Sequence, residues 1–125
     1  MNKVFKNVCI TGAGNGIGQA IAIAMSKEGY NVICADIDFE EAEKTVEIIS
    51  SNNGSGLAIK TDVTNVEDIK DMINKAAKQF GSLDIMVNNA GVTRTSSIMD
   101  LNEKDWDWIH NVNAKGTFFC LQTAA

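Results

Sequence analysis

The feature that most constrains this fold is a glycine-rich stretch, Thr11–Gly18, between an apolar run and a segment with helical periodicity. The run before it, Val8-Cys9-Ile10, predicts a buried strand, and apolar side chains recur at helical spacing over 17–25. Glycines at such a junction let the backbone turn sharply and let a ligand approach closely. The N–H groups at the start of the helix then face the loop with the positive end of the dipole. The stretch therefore predicts a cradle for a pyrophosphate.

The spacing of the glycines leaves an alternative open. Gly12, Gly16 and Gly18 are one residue off the Gly-x-Gly-x-x-Gly pattern of ordinary dinucleotide folds, although Gly14-x-Gly16 also stands within the stretch. Taken alone, the pattern is also compatible with a glycine-rich turn that binds no ligand.

Apolar runs and helical periodicity alternate along the rest of the chain, which predicts an α/β fold. Right-handed connections then favour a Rossmann-type, doubly wound parallel sheet with its first four strands in the order 3-2-1-4 and helices on both faces. We expect residues 1–125 to form a single dinucleotide-binding domain. The expected strands are about 6–11, 31–36, 57–60 and 83–88; the expected helices are about 16–28, 39–52, 65–80 and, after a polar loop at 89–101, one last helix from 102 to the end.

In that strand order, the carboxyl ends of the strands line one crevice. Asp36 ends the second strand, where a carboxylate can accept hydrogen bonds from both hydroxyls of an adenine ribose; the alternative is a capping role, which Asp38 could also fill. Asp62 and Val63 follow the third strand and can contact an adenine, or simply form a turn. Asn88–Gly91 follow the fourth and can brace the sheet, touch the second ribose, or form a plain turn.

Composition excludes several classes of function. The net charge is −5, with acidic and basic residues interspersed, so we expect neither nucleic acid nor a membrane surface as partner. No apolar run approaches the ~18 residues of a membrane span, and Met1–Lys6 is too short before the first strand for a signal peptide. The single histidine, His110, cannot build a metal site, so no metal is expected. The three separated cysteines indicate buried thiols in the cytoplasm rather than a disulfide or zinc framework: Cys9, Cys34 and Cys120.

With four motifs in order, the sequence resembles the short-chain dehydrogenase/reductase family over essentially its whole length. The motifs are Thr11-Gly12-x-x-x-Gly16-x-Gly18, Asp62-Val63, Asn88-Asn89-Ala90-Gly91 and Val112-Asn113-Ala114-Lys115-Gly116. The resemblance implies that NAD(H) or NADP(H) binds at Gly12–Gly18, Asp62, Val63 and Asn89. The full set of expected cofactor contacts is Gly12, Asn15, Gly16, Ile17, Gly18, Asp36, Ile37, Asp62, Val63, Asn89, Ala90, Gly91 and Val112.

The resemblance also implies that Asn113 is the catalytic asparagine, whose main-chain carbonyl holds a water in a proton relay toward an active-site lysine. Without the resemblance, Asn113 would be interpreted as a polar kink in a buried helix. The family's catalytic serine and Tyr-x-x-x-Lys have no match here, because Tyr30 is the only tyrosine and Cys34 stands four residues later. We therefore expect a chain truncated before those residues and inactive by itself, with an open fourth strand.

The implied reaction is hydride transfer between a nicotinamide and a carbonyl or alcohol carbon of a small molecule. The substrate could be a sugar or polyol, a hydroxyketone or a 3-oxoacyl thioester, and the full-length protein is expected to be a homo-oligomer. NAD(H) should be preferred over NADP(H), because Asp36 would repel a 2′-phosphate and neither Asn15 nor Ile37 supplies a cation. The alternatives are a non-catalytic dinucleotide-binding or regulatory module, and a methyltransferase, against which the last two motifs argue.

Aromatic residues complete the expectations. Trp106 and Trp108 are two apart, so one helix face cannot bury both, and one should face solvent, substrate or a partner subunit. Phe118 and Phe119 are expected in the core.

Overall fold

The computed structural model of the chain describes residues 6–125, so the expectation about the N-terminal residues 1–5 lies outside them. The strands are β1 (Asn7–Thr11), β2 (Asn31–Asp36), β3 (Gly56–Lys60) and β4 (Ile85–Val87). The helices are α1 (Gly16–Lys27), α2 (Phe39–Ser51), α3 (Val66–Phe80), α4 (Glu103–His110) and α5 (Thr117–Ala124), with a π-helical turn (Asn111–Gly116) joining the last two.

The four strands form one parallel sheet in the order β3-β2-β1-β4. This confirms the predicted Rossmann-type fold and strand order. The carboxyl ends of β1 and β4 are adjacent, with their chains leaving toward opposite sides, which is where such sheets bind ligands.

Alternating side chains of the strands build a core on each face of the sheet, because successive residues of a strand point to opposite sides. Val8 and Ile10 of β1 pack on the face that α1 and α2 cover, whereas Cys9 packs on the opposite face with Met72 of α3 and Cys120 of α5. All five of these side chains are fully or almost fully buried. The two cores explain why helices flank both faces.

The last helix differs from expectation. Instead of one helix from residue 102 onward, α4 gives way to the π-helical turn before α5 begins. Phe119 packs against the core as predicted, but Phe118 is 56% exposed, so its expected burial is wrong. Trp106 and Trp108 are both partly exposed, at 53% and 40%.

The fourth strand is shorter than predicted and lies at one edge of the sheet. It pairs with β1 on one side, and no strand within residues 6–125 pairs with its other side. No helix in the described part of the chain is long and apolar enough to cross a membrane.

Candidate functional site

A cleft of about 530 Å³ lies where the four strands end. It brings together all the predicted cofactor-binding residues except Gly16 and Gly18, and Asn113 also lies outside its lining. Six further residues line it that the sequence did not single out as cofactor contacts: Thr11, Ala35, Thr61, Thr64, Val92 and Trp108.

Gly16 and Gly18 show two different reasons why the loop at one end of the cleft carries glycines. Gly16 has a φ of 54°, a left-handed conformation that other residues adopt at a cost, and nothing lies within 4 Å of where its Cβ would be. At Gly18 a Cβ would collide with the carbonyl oxygen of Gly12, so the missing side chain lets α1 pack directly under the loop.

The start of α1 differs from the starts of α2, α3 and α4. Those three begin with a side chain that caps a backbone N–H, and each has acidic residues in its first turn. In α1 the N-cap Asn15 makes no side-chain cap bond, and the first turn contains no acid. Its N–H groups and positive dipole end therefore remain available to an anion, which is how helix N-termini bind phosphate.

Asp36 is held in place by two backbone groups. The Gly14 N–H donates to its Oδ2 over 2.8 Å, and the Asp38 N–H donates to its Oδ1 over 3.0 Å. Capping of α2 falls instead to Asp38, whose Oδ1 accepts from the Glu41 N–H at 3.3 Å. The capping alternative thus belongs to Asp38. Because a carboxylate has about four lone-pair sites, Asp36 retains acceptor capacity on the cleft side.

Asp62 forms a turn, which was the alternative to an adenine contact in the sequence analysis. Its Oδ1 accepts from the N–H of Thr64 at 2.9 Å and from the Thr64 hydroxyl at 2.6 Å. These bonds fix the loop after β3 while Asp62, Val63 and Thr64 all line the cleft. A turn role and a ligand contact are therefore compatible at this residue.

Asn89 ties the loop after β4 to the glycine loop. Its Nδ2 donates to the carbonyl oxygens of Thr11 and Gly12 at 3.1 and 3.3 Å. In return, the Thr11 hydroxyl accepts from the N–H groups of Asn89 and Ala90 at 3.1 and 3.0 Å. The bracing role considered for this motif is thus visible. Long-range bonds of this kind leave no periodic signal in the sequence.

Asn113 lies in the π-helical turn, a type of irregularity that is frequent at functional sites. Its side chain makes two bonds with the backbone of Val92: the Val92 N–H donates to Oδ1 and Nδ2 donates to the Val92 oxygen, both at 2.8 Å. Its main-chain carbonyl accepts from the Thr117 hydroxyl at 2.9 Å. A carbonyl oxygen has a second lone pair, which a water could use.

The cysteines are free and buried, as their apolar surroundings predicted. Burial raises the pKa of Cys34 to about 12 and that of Cys120 to about 11. Burial, followed by repulsion from the other two thiols, raises the pKa of Cys9 still further. These thiols stay protonated at neutral pH, so they are unsuited to act as nucleophiles.

The strand order and the cleft at the β1–β4 switch define an α/β protein of the dinucleotide-binding type. The chain belongs to the short chain dehydrogenase family, whose profile matches residues 6–125. This confirms the resemblance identified from the four sequence motifs.

Curated relatives support this membership. The chain is 42% identical over 123 residues to the 3-oxoacyl-[acyl-carrier-protein] reductase FabG of Staphylococcus aureus (strain Mu50), covering 98% of this chain and 50% of the relative. It is 38% identical over 113 residues to the (2S)-[(R)-hydroxy(phenyl)methyl]succinyl-CoA dehydrogenase subunit BbsD of Thauera aromatica. The match covers 90% of this chain and 46% of the relative. The chain thus spans about half the length of the curated relatives it matches.

Solved structures give the same family. A short-chain type dehydrogenase/reductase from Mycobacterium marinum superposes with a TM-score of 0.93 at 29% identity, over 95% of this chain and 48% of the other. A candidate D-mannonate oxidoreductase from Haemophilus influenza, solved with bound NAD, superposes with a TM-score of 0.89 at 27% identity, over 94% of this chain and 48% of the other.

Proposed function

We propose that this chain is the cofactor-binding part of an NAD(H)-dependent oxidoreductase that acts on a carbonyl or alcohol carbon. The observation that carries the proposal is the cleft, which joins the uncapped start of α1 to Asp36 and the loops after β3 and β4. A nicotinamide dinucleotide bound there would supply or accept the hydride.

The residues of the cleft have distinct roles in this proposal. The glycine loop and the first N–H groups of α1 hold the pyrophosphate, and Asp36 accepts from the adenine ribose. Asp62 and Val63 contact the adenine, with Ile37 and Val112 completing its apolar surroundings. The second ribose lies against Asn89, Ala90 and Gly91. Asn113 positions a water through its main-chain carbonyl.

We propose a thioester as the substrate, from among the sugar, polyol, hydroxyketone and thioester classes considered above. Both curated relatives described here are named for thioesters, one of an acyl carrier protein and one of coenzyme A. Turnover of NADH with a 3-oxoacyl thioester by the intact protein supports this assignment. Dinucleotide binding without turnover of any of the four classes would instead support the non-catalytic module.

A preference for NAD(H) over NADP(H) follows from charge. Asp36 would repel a 2′-phosphate and lose a ribose hydroxyl as donor, and within the described chain no lysine or arginine lines the cleft. The combined effect should be roughly 2–3 kcal/mol, on the order of 30- to 150-fold in affinity.

The preference is tested by titrating the intact protein with NADH and NADPH. Asp36→Ala should narrow the ratio of the two dissociation constants, although it also removes the bonds to Gly14 and Asp38. Asp38→Ala is the matched control, since it deletes a nearby carboxylate and the cap of α2. It should lower stability by about 1 kcal/mol and leave the ratio unchanged. Equal or tighter binding of NADPH by the unsubstituted protein contradicts the preference.

We further propose that the protein is a cytoplasmic homo-oligomer. Three buried thiols suit a reducing compartment. The exposed side chains of Phe118 and Leu121 suit a subunit contact. Sedimentation of the intact protein as a monomer at micromolar concentration would contradict the oligomer.

A further inference from the structure

We propose that Trp108 is an additional adenine contact, forming the outer aromatic wall of the base-binding end of the cleft. The inference rests on the proposed dinucleotide function. It concerns a residue outside the family motifs matched in this chain.

The first observation is position. Trp108 lines the cleft together with Asp62, Val63 and Thr64, the loop assigned to the adenine. It also lines, again with Thr64, an open recess between α4 and the loop after β3. Since only Thr64 and Trp108 belong to both hollows, the indole is part of the wall that separates the base-binding end from solvent.

The second observation is how the indole is held. The Arg94 guanidinium carbon lies 5.8 Å from the centroid of a Trp108 ring, within cation–π range. Arg94 is itself paired with Asp105, at 3.5 Å between Nη1 and Oδ2, and the Asp105 side chain is only 18% exposed. The ring is thereby restrained from α4 and from the loop after β4, yet 40% of Trp108 stays accessible.

The third observation is the contrast with Trp106. That indole stacks on His110, with centroids 4.1 Å apart and planes 25° from parallel, and it does not line the cleft. Trp106 therefore already has an aromatic partner. Trp108 has only the Arg94 guanidinium near its ring and no aromatic partner among the described residues, and purine bases stack readily on such an exposed indole.

Fluorescence and affinity together test the inference. The ligand is ADP-ribose, which carries the adenine but no nicotinamide to absorb tryptophan emission. Contact with the base should quench Trp108, so the quench should persist in Trp106→Phe and disappear in Trp108→Phe.

The affinity arm uses calorimetry with the same ligand. Trp108→Ala should weaken ADP-ribose binding by about fivefold or more, whereas Trp108→Phe, which keeps an aromatic face, should stay close to the unsubstituted protein. Trp106→Ala is the matched control and should change affinity by less than about twofold, because it removes an indole of similar exposure outside the cleft.

The outcomes distinguish a failure of the Trp108 assignment from a failure of the proposed function. Normal ADP-ribose binding without quenching of Trp108, or equal affinities for Trp108→Ala and Trp106→Ala, overturns the inference and leaves the proposed function intact. Failure of the folded, unsubstituted protein to bind ADP-ribose or NADH overturns both. The quench arm uses only Trp106→Phe and Trp108→Phe, so the test does not depend on how well Trp108→Ala folds.

Discussion

Among single residues, Gly16 gives a direct test of the glycine loop. Gly16→Val should abolish NADH binding while leaving the sheet largely formed, because the side chain would stand where the pyrophosphate approaches and its φ of 54° would be strained. Gly29 has a φ of 94° and equally open surroundings, but it follows the C-terminal end of α1, away from the N-terminal turn assigned to the pyrophosphate. Gly29→Val should therefore lose stability but retain NADH binding. If calorimetry shows normal NADH affinity for Gly16→Val, the cradle is misassigned.

The buried thiols predict a loss of stability in alkaline solution. Their pKa values are raised from an ordinary value of 9.0, to about 12 for Cys34 and about 11 for Cys120. Below pH 9 both folded and unfolded chains keep these protons, and the stabilisation is fully present. Above it, the unfolded chain loses protons that the folded chain keeps, so the free energy of unfolding falls as pH rises toward 11–12.

Urea unfolding of the intact protein measures this effect. Each fully shifted thiol should contribute a decrease of about 1 kcal/mol between pH 9 and 10. Cys34→Ala removes one titrating group and should make the decline shallower by that amount, whatever its effect on absolute stability. Identical slopes for the two proteins would show that Cys34 does not titrate in the unfolded chain as argued.

At the scale of elements, the bond pair between Asn113 and Val92 joins the π-helical turn to the loop after β4. Asn113→Ala should speed hydrogen exchange at the Val92 amide and lower stability by about 1 kcal/mol, the usual net loss for exposed bonds of this kind. Asn111→Ala is the control, since Asn111 is exposed in the same turn and its side chain makes no hydrogen bond within residues 6–125. Unchanged exchange at Val92 in Asn113→Ala would mean that the loop is anchored elsewhere.

The elements also show which parts of the fold follow from sequence. Buried β-branched strands such as β2 and the helical periodicity of α3 are local patterns. Together with right-handed connections they leave few strand orders, of which the order of dinucleotide-binding folds is the one observed. The π-helical turn has no comparable pattern. It accommodates an extra residue, and each added residue rotates the following helix by about 100° relative to an ideal α-helix. Phe118 lies nine residues after the half-buried Ile109, which at about 100° per residue places it on the opposite side of the helix, and it is exposed there.

The same distinction applies to the cleft. Asp36 and Asn89 could be placed there because strand ends converge in a parallel sheet. Their actual partners, Gly14 for Asp36 and Thr11 for Asn89, are 22 and 78 residues away along the chain. Such bonds depend on side-chain direction in the folded protein, which periodicity does not encode. For the same reason, the sequence left three possible surroundings for one of Trp106 and Trp108, without saying which.

At the scale of the whole molecule, residues 1–125 expressed alone are expected to self-associate and to lack oxidoreductase turnover. One edge of β4 pairs with no strand in the described chain, and Phe118 and Leu121 are 56% and 58% exposed. Turnover should be absent because the proposed proton relay through Asn113 requires a tyrosine–lysine pair, and the sole tyrosine, Tyr30, has no lysine four residues on.

Sedimentation and a coupled NADH assay check both parts. The double variant Phe118→Ser/Leu121→Ser should associate less if the α5 surface contributes, while the β4 edge is unaltered. A monodisperse, cooperatively unfolding monomer contradicts the first part, and NADH-linked reduction of a carbonyl contradicts the second.

The two oxygens of Asp36 have a consequence for how such a protein can diversify. One oxygen restrains the glycine loop through Gly14 and the other restrains the entry to α2 through Asp38. A mutation that altered cofactor choice at this position would at the same moment loosen two neighbouring segments. Lineages that switch between the two nicotinamide cofactors should therefore acquire compensating changes near residues 14 and 38 before, or together with, the change at 36.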